Sequence, residues 1–514
     1  MTDILLATAF FIKNDPKQLE KMQPYAPLGT LYAANHLRQA GYTIAVFDAM
    51  LANGVEEFET LLNDKQPRIV AFYEDLFNYL NKMCLNHVRE SLFKMAKLAK
   101  AQNTIVIAAG SDLTDEPEAY FAQGVDYIMN GEADHTLLEL CDAILNSKAV
   151  DCEKIHGVCF PQRVVGKNKA KRSSESNVLM HSPRRALEKN LDVFPQPAWD
   201  LLDAERYRRA WQDKHGFFST NMVASRGCSF HCNWCAKPLW GQHYATRSES
   251  SVAKEMALVK QLFNPDHLWF ADDIFGMNPK WVVRFAAEVE KHNAQIPFMI
   301  QSRVDLMTEK AVNALAQAGC KEVWMGVESG SQKILDAMEK GTYLTLLPEV
   351  RQRLAHAGIK TCFFIQFGYP GEGLAEIKTT IQLVRDNLPD DIGISVSYPL
   401  PGTRFYERVA NSILKKHHWQ DSNDLDVMFK ASYKTPFYKQ LHTLLHKDLD
   451  LRIALKNARP ADNDLIGNIA ELEKQKHDLE LEWRLWEASE ARFRNENPTT
   501  FPIIDKYIAA DRVD

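Results

Sequence analysis

The chain has 514 residues, enough for two or three domains with separate cores, and 46% of them are hydrophobic against 25% charged, the balance of a folded globular protein. Lys and Arg total 61 against 67 Asp and Glu, a formal charge of −6, so no polyanion-binding surface is implied and nucleic acid is excluded as an expected partner. Nine cysteines in so long a chain make no disulfide framework, no apolar run reaches membrane-spanning length, and the N-terminal apolar stretch lacks a basic flank and a cleavage pattern; the expected setting is the reducing cytoplasm.

From the N-terminus, short apolar runs alternate with amphipathic segments. Strands are predicted over 3–11, 43–48, 68–73, 104–109 and 126–129, and helices over 28–40, 55–63, 79–101, 117–123 and 136–145. This alternation, with β-branched strands, predicts an α/β domain over residues 1–150 with a doubly wound, flavodoxin- or Rossmann-like parallel sheet. Ligands of such sheets sit at the carboxyl ends of the strands, which here carry Gly110 and Ser111, then Gly131 and Glu132. Glycines there let a ligand approach the backbone, although a loop glycine is also an ordinary turn residue.

Residues 151–215 read as a connecting region. Lys167, Lys169, Lys171 and Arg172, with Ser173, Ser174 and Ser176 after them, form a basic, Ser-rich patch of the kind that makes a solvated loop.

Directly after the apolar Met222, Val223 and Ala224 comes Ser225-Arg226-Gly227-Cys228-Ser229-Phe230-His231-Cys232-Asn233-Trp234-Cys235. Three cysteines spaced CxxxCxxC suit one face of an iron–sulfur cube, because soft thiolates select Fe–S clusters or zinc and a short loop gathers them. Three ligands leave one iron open, whereas structural zinc sites close with four. The alternatives are small buried residues, or half of a zinc site that His231 would help complete. The remaining cysteines stand singly in the sequence.

Over 216–407 the alternation resumes. Strands are predicted over 222–225, 267–271, 298–301, 322–326, 361–368 and 393–398, with helices over 252–263, 279–292, 309–318, 332–338 and 348–356. Six units predict a parallel partial (β/α)6 barrel, a full eight-unit barrel being the alternative. Asp272 and Asp273 follow the second strand, Arg303 the third, Glu328 and Ser329 the fourth. Carboxylates at a strand end suit an ammonium group, and an arginine suits a carboxylate bidentately. Adjacent aspartates also cap helices, and a charged strand end also serves as scaffold. Residues 408–514 read as mostly helical, with a charged amphipathic stretch over 470–492.

The cysteine loop, with Gly227 before its first Cys and Trp234 before its last, resembles the signature of the radical S-adenosylmethionine (SAM) enzymes. That resemblance implies a [4Fe-4S] cluster on Cys228, Cys232 and Cys235, with SAM chelated to the open iron. It implies Trp234 near the adenine, Asp272 and Asp273 at the amino group, Arg303 at the methionine carboxylate, and Glu328 and Ser329 at the ribose. An external one-electron reductant of flavodoxin or ferredoxin type would feed the cluster. Pro27-Leu28-Gly29-Thr30, Ala40-Gly41-Tyr42 and Gly131-Glu132 are similar to the cobalamin-binding domain that precedes the radical domain in one branch of this family. Gly110, Ser111, Gly131 and Glu132 would then line the cobalamin site. No DxHxxG sequence supplies a histidine for cobalt, and Ala109-Gly110-Ser111-Asp112 departs from the branch's common Gly-Gly-Pro-His, so a fold that no longer binds cobalamin stays open. In related enzymes a C-terminal segment closes over the substrate, which makes Tyr433, Phe437, Tyr438, Trp483 and Trp486 pocket candidates.

The function expected is therefore a cobalamin-dependent radical methyltransferase acting on an unactivated carbon or phosphinate-type centre of a small molecule. The alternatives are a cobalamin-linked radical cyclase or rearrangement enzyme, a cobalamin-independent radical enzyme, and a non-catalytic iron–sulfur or corrinoid sensor. The sensor would need no intact nucleotide pocket, against which Asp272, Arg303 and Glu328 argue.

Overall fold

The structure, a computed structural model, describes residues 2–74, 85–147, 150–164, 176–236, 241–414, 425–458 and 463–501. Its first sheet is built from β1 (Ile4–Ala7), β2 (Ile44–Phe47), β3 (Ile69–Tyr73), β4 (Ile105–Ala109), β5 (Tyr127–Met129), β6 (Val158–Val164) and β7 (Ser176–His181), in the order β2-β1-β3-β4-β5-β6-β7. β1 to β5 pair in parallel. β1 and β3 are buried along their whole lengths, which is why both read as unbroken apolar runs: a parallel strand has helices on both faces. The helices Leu28–Gln39, Val55–Lys65 and Leu85–Ala101 supply the first three crossovers and the short Ser111–Asp115 and Pro117–Phe121 the fourth, while Asp134–Asn146 follows β5.

β6 and β7 are antiparallel additions inside what the sequence presents as a connecting region. An edge hairpin alternates sides and carries polar residues on its open face, so it lacks the apolar density of the strands before it. Of the basic, Ser-rich patch only Ser176, opening β7, falls within the described residues. The helix expected over 79–101 is described from Leu85 onward, its earlier part lying outside the described residues.

The second sheet holds β8 (Ser219–Met222), β11 (His267–Phe270), β12 (Phe298–Ser302), β13 (Cys320–Glu328), β14 (Lys360–Phe367) and β15 (Asp391–Val396), in the order β15-β14-β13-β12-β11-β8. It is an open six-stranded parallel half-barrel, not the eight-unit alternative. The strand expected over 222–225 is divided: β8 ends at Met222, and β9 (Ser225–Gly227) pairs antiparallel with β10 (Tyr244–Thr246). Between them the Ala224 amide and the Ser225 hydroxyl both donate to Asp272, so the chain is bound by a side chain where the ladder stops.

The chain divides into two compact units, residues 1–229, 237–275 and 284–300 in the first, and 230–236, 276–283 and 301–514 in the second. In the second, helices Arg404–Val409, Thr435–Asn457, Asn463–Ala488 and Glu490–Phe493 follow β15. Tyr433, Phe437 and Trp486 stack there at centroid separations of 4.2 and 4.6 Å. Tyr438 and Trp483 are buried with them; Tyr438 reaches the loop after β14, where a Cβ on Gly368 would stand 3.3 Å from its ring, and Trp483 carries Arg385 5.3 Å from its ring centroid. No helix among the described residues is long and apolar enough to cross a membrane.

Candidate active site

The first unit brings Arg226, two residues ahead of Cys228, into a buried ion cluster. Its Nη1 donates to Glu132 at 2.5 Å and to Asp134 at 2.9 Å, and its guanidinium lies 4.6 Å from the Phe194 ring centroid. Burial opposes its charge, yet Asp134 and Glu132 hold it above the ordinary arginine range. Burial pushes the Glu132 carboxyl up, with Arg226 opposing. Glu132 also accepts the Glu188 amide at 2.6 Å. Its carboxylate, expected at a cofactor, is thus committed to fixing the strand that leads into the cysteines.

The other candidates at this end of the sheet offer backbone and small side chains. Gly110 follows β4, where an added Cβ would meet Leu113 Cδ1 at 3.0 Å and Glu74 Cβ at 3.1 Å. Ser111 opens a five-residue helix and is half-buried, and Gly131 has φ +77°. The neighbouring acids are engaged: Asp112 pairs with Arg89 at 2.6 Å, and Asp48 accepts the Tyr207 hydroxyl at 2.7 Å.

Asp272 and Asp273 differ although adjacent. Asp272 is buried, and that burial pushes it up to about 7 against the opposing bonds from Ser225 and Ala224, Asp273 pushing the same way. Its oxygens serve the start of the cysteine loop, whereas Asp273 is exposed. Of the two carboxylates, only Asp273 stands open to a cationic ligand.

The loop passes from the first unit, which holds Cys228, to the second, which holds Cys232 and Cys235. None of the three cysteines is in a disulfide, and all are partly exposed. In the second unit the loop is anchored through Asn233. Its amide donates to Met338 O at 3.0 Å and its Nδ2 to Ala337 O at 2.8 Å, while its Oδ1 accepts the Tyr369 hydroxyl at 2.9 Å. His231 is exposed. Among the described residues no three His, Cys, Asp or Glu side chains converge on a point that could hold a single metal ion. A cube makes no such demand, because each thiolate binds a different iron. Three reduced, partly exposed soft donors therefore fit a cluster by the chemistry of the donor set.

Arg303 follows β12, and its donors are already taken. Nε bonds to Asp305 at 2.9 Å, Nη1 to Lys340 O at 2.9 Å, and Nη2 to Thr342 Oγ1 at 2.8 Å, with the guanidinium 3.7 Å from the Phe230 ring centroid. It braces the loop carrying Lys340, and a bidentate grip on a ligand carboxylate would require breaking those bonds. Ser329 is buried and its hydroxyl lies 3.3 Å from Thr380 Oγ1 while accepting the Ser331 amide at 3.2 Å.

Glu328 ends β13 with φ +65°, a left-handed conformation that a glutamate adopts only where its surroundings fix it. The register of β13 against β14 shifts between Gly326 and Glu328, and the side chain is then held by Lys340, whose Nζ lies 2.8 Å from Glu328 Oε1 and 6.0 Å from the Trp234 ring centroid. Burial works against the lysine's charge, but Glu328 and Cys232 hold its amine above the usual range. A Cβ on Gly326 would stand 2.6 Å from Glu328 Oε1 and 2.7 Å from Lys340 Nζ, so the pair occupies the space that this glycine leaves. Sequence reading missed Lys340 and Asn233. Gly326 two residues before an acid was the available signal for Lys340, and the cysteines on either side drew attention away from Asn233.

Residues 222–384 match the Radical SAM superfamily. An uncharacterized methyltransferase of Pyrococcus horikoshii is 26% identical over 427 residues, 82% of this chain and 86% of the relative. The anaerobic magnesium-protoporphyrin IX monomethyl ester cyclase of Rubrivivax gelatinosus is 21% identical over 393 residues, 76% of this chain and 67% of the relative. The solved structure of OxsB, a cobalamin-dependent SAM radical enzyme with aqua-cobalamin bound, is similar with a TM-score of 0.69 at 16% identity, over 96% of this chain and 80% of that one. Residues 222–384 are therefore a radical SAM domain, and the chain is an enzyme with the fold of the cobalamin-dependent SAM radical enzyme OxsB.

Proposed function

We propose that this enzyme is a cobalamin-dependent methyltransferase that places a methyl group on an unactivated carbon or phosphinate-type centre of a small molecule. The observation that carries the reading is the Glu328–Lys340 pair at the end of β13, set beside Trp234 of the cysteine loop. Cys228, Cys232 and Cys235 would hold a [4Fe-4S] cluster, and Asp273 the amino group of SAM. Glu328 would take the ribose hydroxyls and Trp234 the adenine face. With Arg303 engaged, the carboxylate falls to Lys340. Bound together, cluster, SAM and cobalamin supply a hydrogen-abstracting radical and a methyl donor.

For cobalamin, the support is the fold and the chemistry of Gly110, Ser111 and Gly131. Small residues beside acids that are already paired or hydrogen-bonded suit a broad, amide-rimmed ring better than a free ion. A radical cyclase is the second reading, favoured by the Rubrivivax relative's alignment over 76% of this chain.

The test is anaerobic reconstitution with iron, sulfide and hydroxocobalamin, followed by desalting. About four iron and about one cobalt per chain are expected, with 5′-deoxyadenosine formed once a flavodoxin- or ferredoxin-type reductant is supplied. Cys232→Ala should abolish both the cluster absorbance and the deoxyadenosine; a variant that still cleaves SAM sinks the assignment. Iron without cobalt removes the cobalamin half alone, and a product that gains no methyl group selects the cyclase.

A further inference from the structure

Along β13, Val323, Met325 and Val327 are buried, whereas Glu322, Trp324 and Gly326 on the alternate face are only half-buried. A parallel sheet is ordinarily covered on both faces, and this face is only partly covered by the described residues. On it Trp324 and Phe364 stack at 4.8 Å with their planes 29° apart. Trp324 Nε1 donates to Glu322 at 2.7 Å, which fixes the indole. Phe364 is in register with Gly326 on one side and Gly393 on the other. A Cβ at Gly393 would stand 3.1 Å from Phe364 and 3.3 Å from Trp324, so a side chain there would push the two rings aside.

The next pair in register is Gln366 with Ser395. Gln366 is 3% exposed and its Oε1 has no hydrogen-bond partner among the described residues, while Ser395 is exposed. A buried amide oxygen left unpaired is costly, and a ligand donor would relieve it. Gly326, roughly 7 Å along the strand from Trp324, is where the Glu328–Lys340 pair begins.

We propose that this face of β13, β14 and β15 is the specificity shelf of the enzyme, and that it takes a planar aromatic ring carrying an N–H or O–H donor. The ring lies along Trp324 and Phe364, which Gly393 lets lie close over β15, and its donor meets the Gln366 oxygen. This rests on the reading that the second unit handles a small-molecule substrate, and it adds the substrate class.

The experiment is equilibrium binding of three probes to the reconstituted full chain: indole, 1-methylindole, which lacks the donor, and 2-pyrrolidinone, which keeps an N–H but is not aromatic. Indole should bind tighter than either by roughly tenfold. Trp324→Ala and Gly393→Val should each weaken indole by a similar factor, Trp324→Phe should restore most of it, and Gln366→Leu should erase the preference for indole over 1-methylindole. Melting temperatures identify any variant that fails to fold, in which case Gln366→Leu alone decides. No indole binding, equal binding of pyrrolidinone, or an indole preference untouched by these changes overturns the shelf. Deoxyadenosine formation by the wild type is scored separately: if it occurs without ring preference only the shelf falls, and if it never occurs the enzymatic reading falls with it.

Discussion

Arg226 in the first unit and Lys340 in the second are both buried cations paired with an acid near the carboxyl end of a parallel strand. Arg226 holds two carboxylates, Glu132 and Asp134, all three under 8% exposed, with Phe194 against its guanidinium. Lys340 holds one, Glu328, with an indole 6.0 Å away. A planar guanidinium with fixed donors saturates its site and resists exchange; an ammonium on a flexible stem is a point charge that can turn to another anion. The first arrangement suits a lock on the strand ahead of the cysteines, the second a pair that a ligand can enter.

Removing Arg226 is the strongest way to break that comparison. Arg226→Met leaves two carboxylates buried without a cation and should cost about 3–5 kcal/mol, read as a shift in denaturant midpoint on the apoprotein. A loss under about 1 kcal/mol would mean that proton uptake by Glu132 already carries the cluster. Arg226→Lys, which keeps the charge and loses the fork, should fall between.

A carboxyl with no cation beside it among the described residues sharpens the contrast. Glu372 is fully buried, accepts the Gly368 amide at 2.6 Å, and is pushed by burial up to about 8, that bond opposing and Glu376 adding. Its folded value lies above its unfolded one, so its stabilisation is complete below about pH 4.5 and is lost as pH rises to about 8. Between pH 5 and pH 8 the wild type should lose about 3 kcal/mol that Glu372→Gln keeps. Parallel stability curves for the two proteins would refute this.

The positions of most parallel strands were readable because β1, β3 and β4 are unbroken apolar runs, whereas β8, which is mostly polar, was expected three residues too late. The β6–β7 hairpin was not, since an edge pair alternates and its sequence resembles a loop. At the site, cysteine spacing announced the loop, but Glu132 and Arg303 show the limit of reading charges one at a time. Each stands at a strand end where a ligand contact was expected, and each is consumed by a partner remote in sequence, Arg226 and the 340–342 segment. Lys340 was hidden for the same reason, its role depending on Gly326 leaving space twelve or more residues earlier. Spacing reports local geometry; it does not report which long side chains meet.

Glu328→Gln then asks whether the second pair is a lock after all. The glutamine keeps the shape and can still accept from Lys340, but a neutral partner leaves the buried ammonium short of about 1–2 kcal/mol, a smaller loss than at Arg226. If the pair is only a brace, the melting temperature falls and the affinity of the reconstituted chain for SAM stays where it was. If the carboxylate takes the ribose hydroxyls, SAM binding should weaken roughly tenfold, about 1.4 kcal/mol, and added SAM should raise the variant's melting temperature less than it raises the wild type's. The second result separates a binding pair from a strut even when both lose stability, because a strut fails equally with and without ligand.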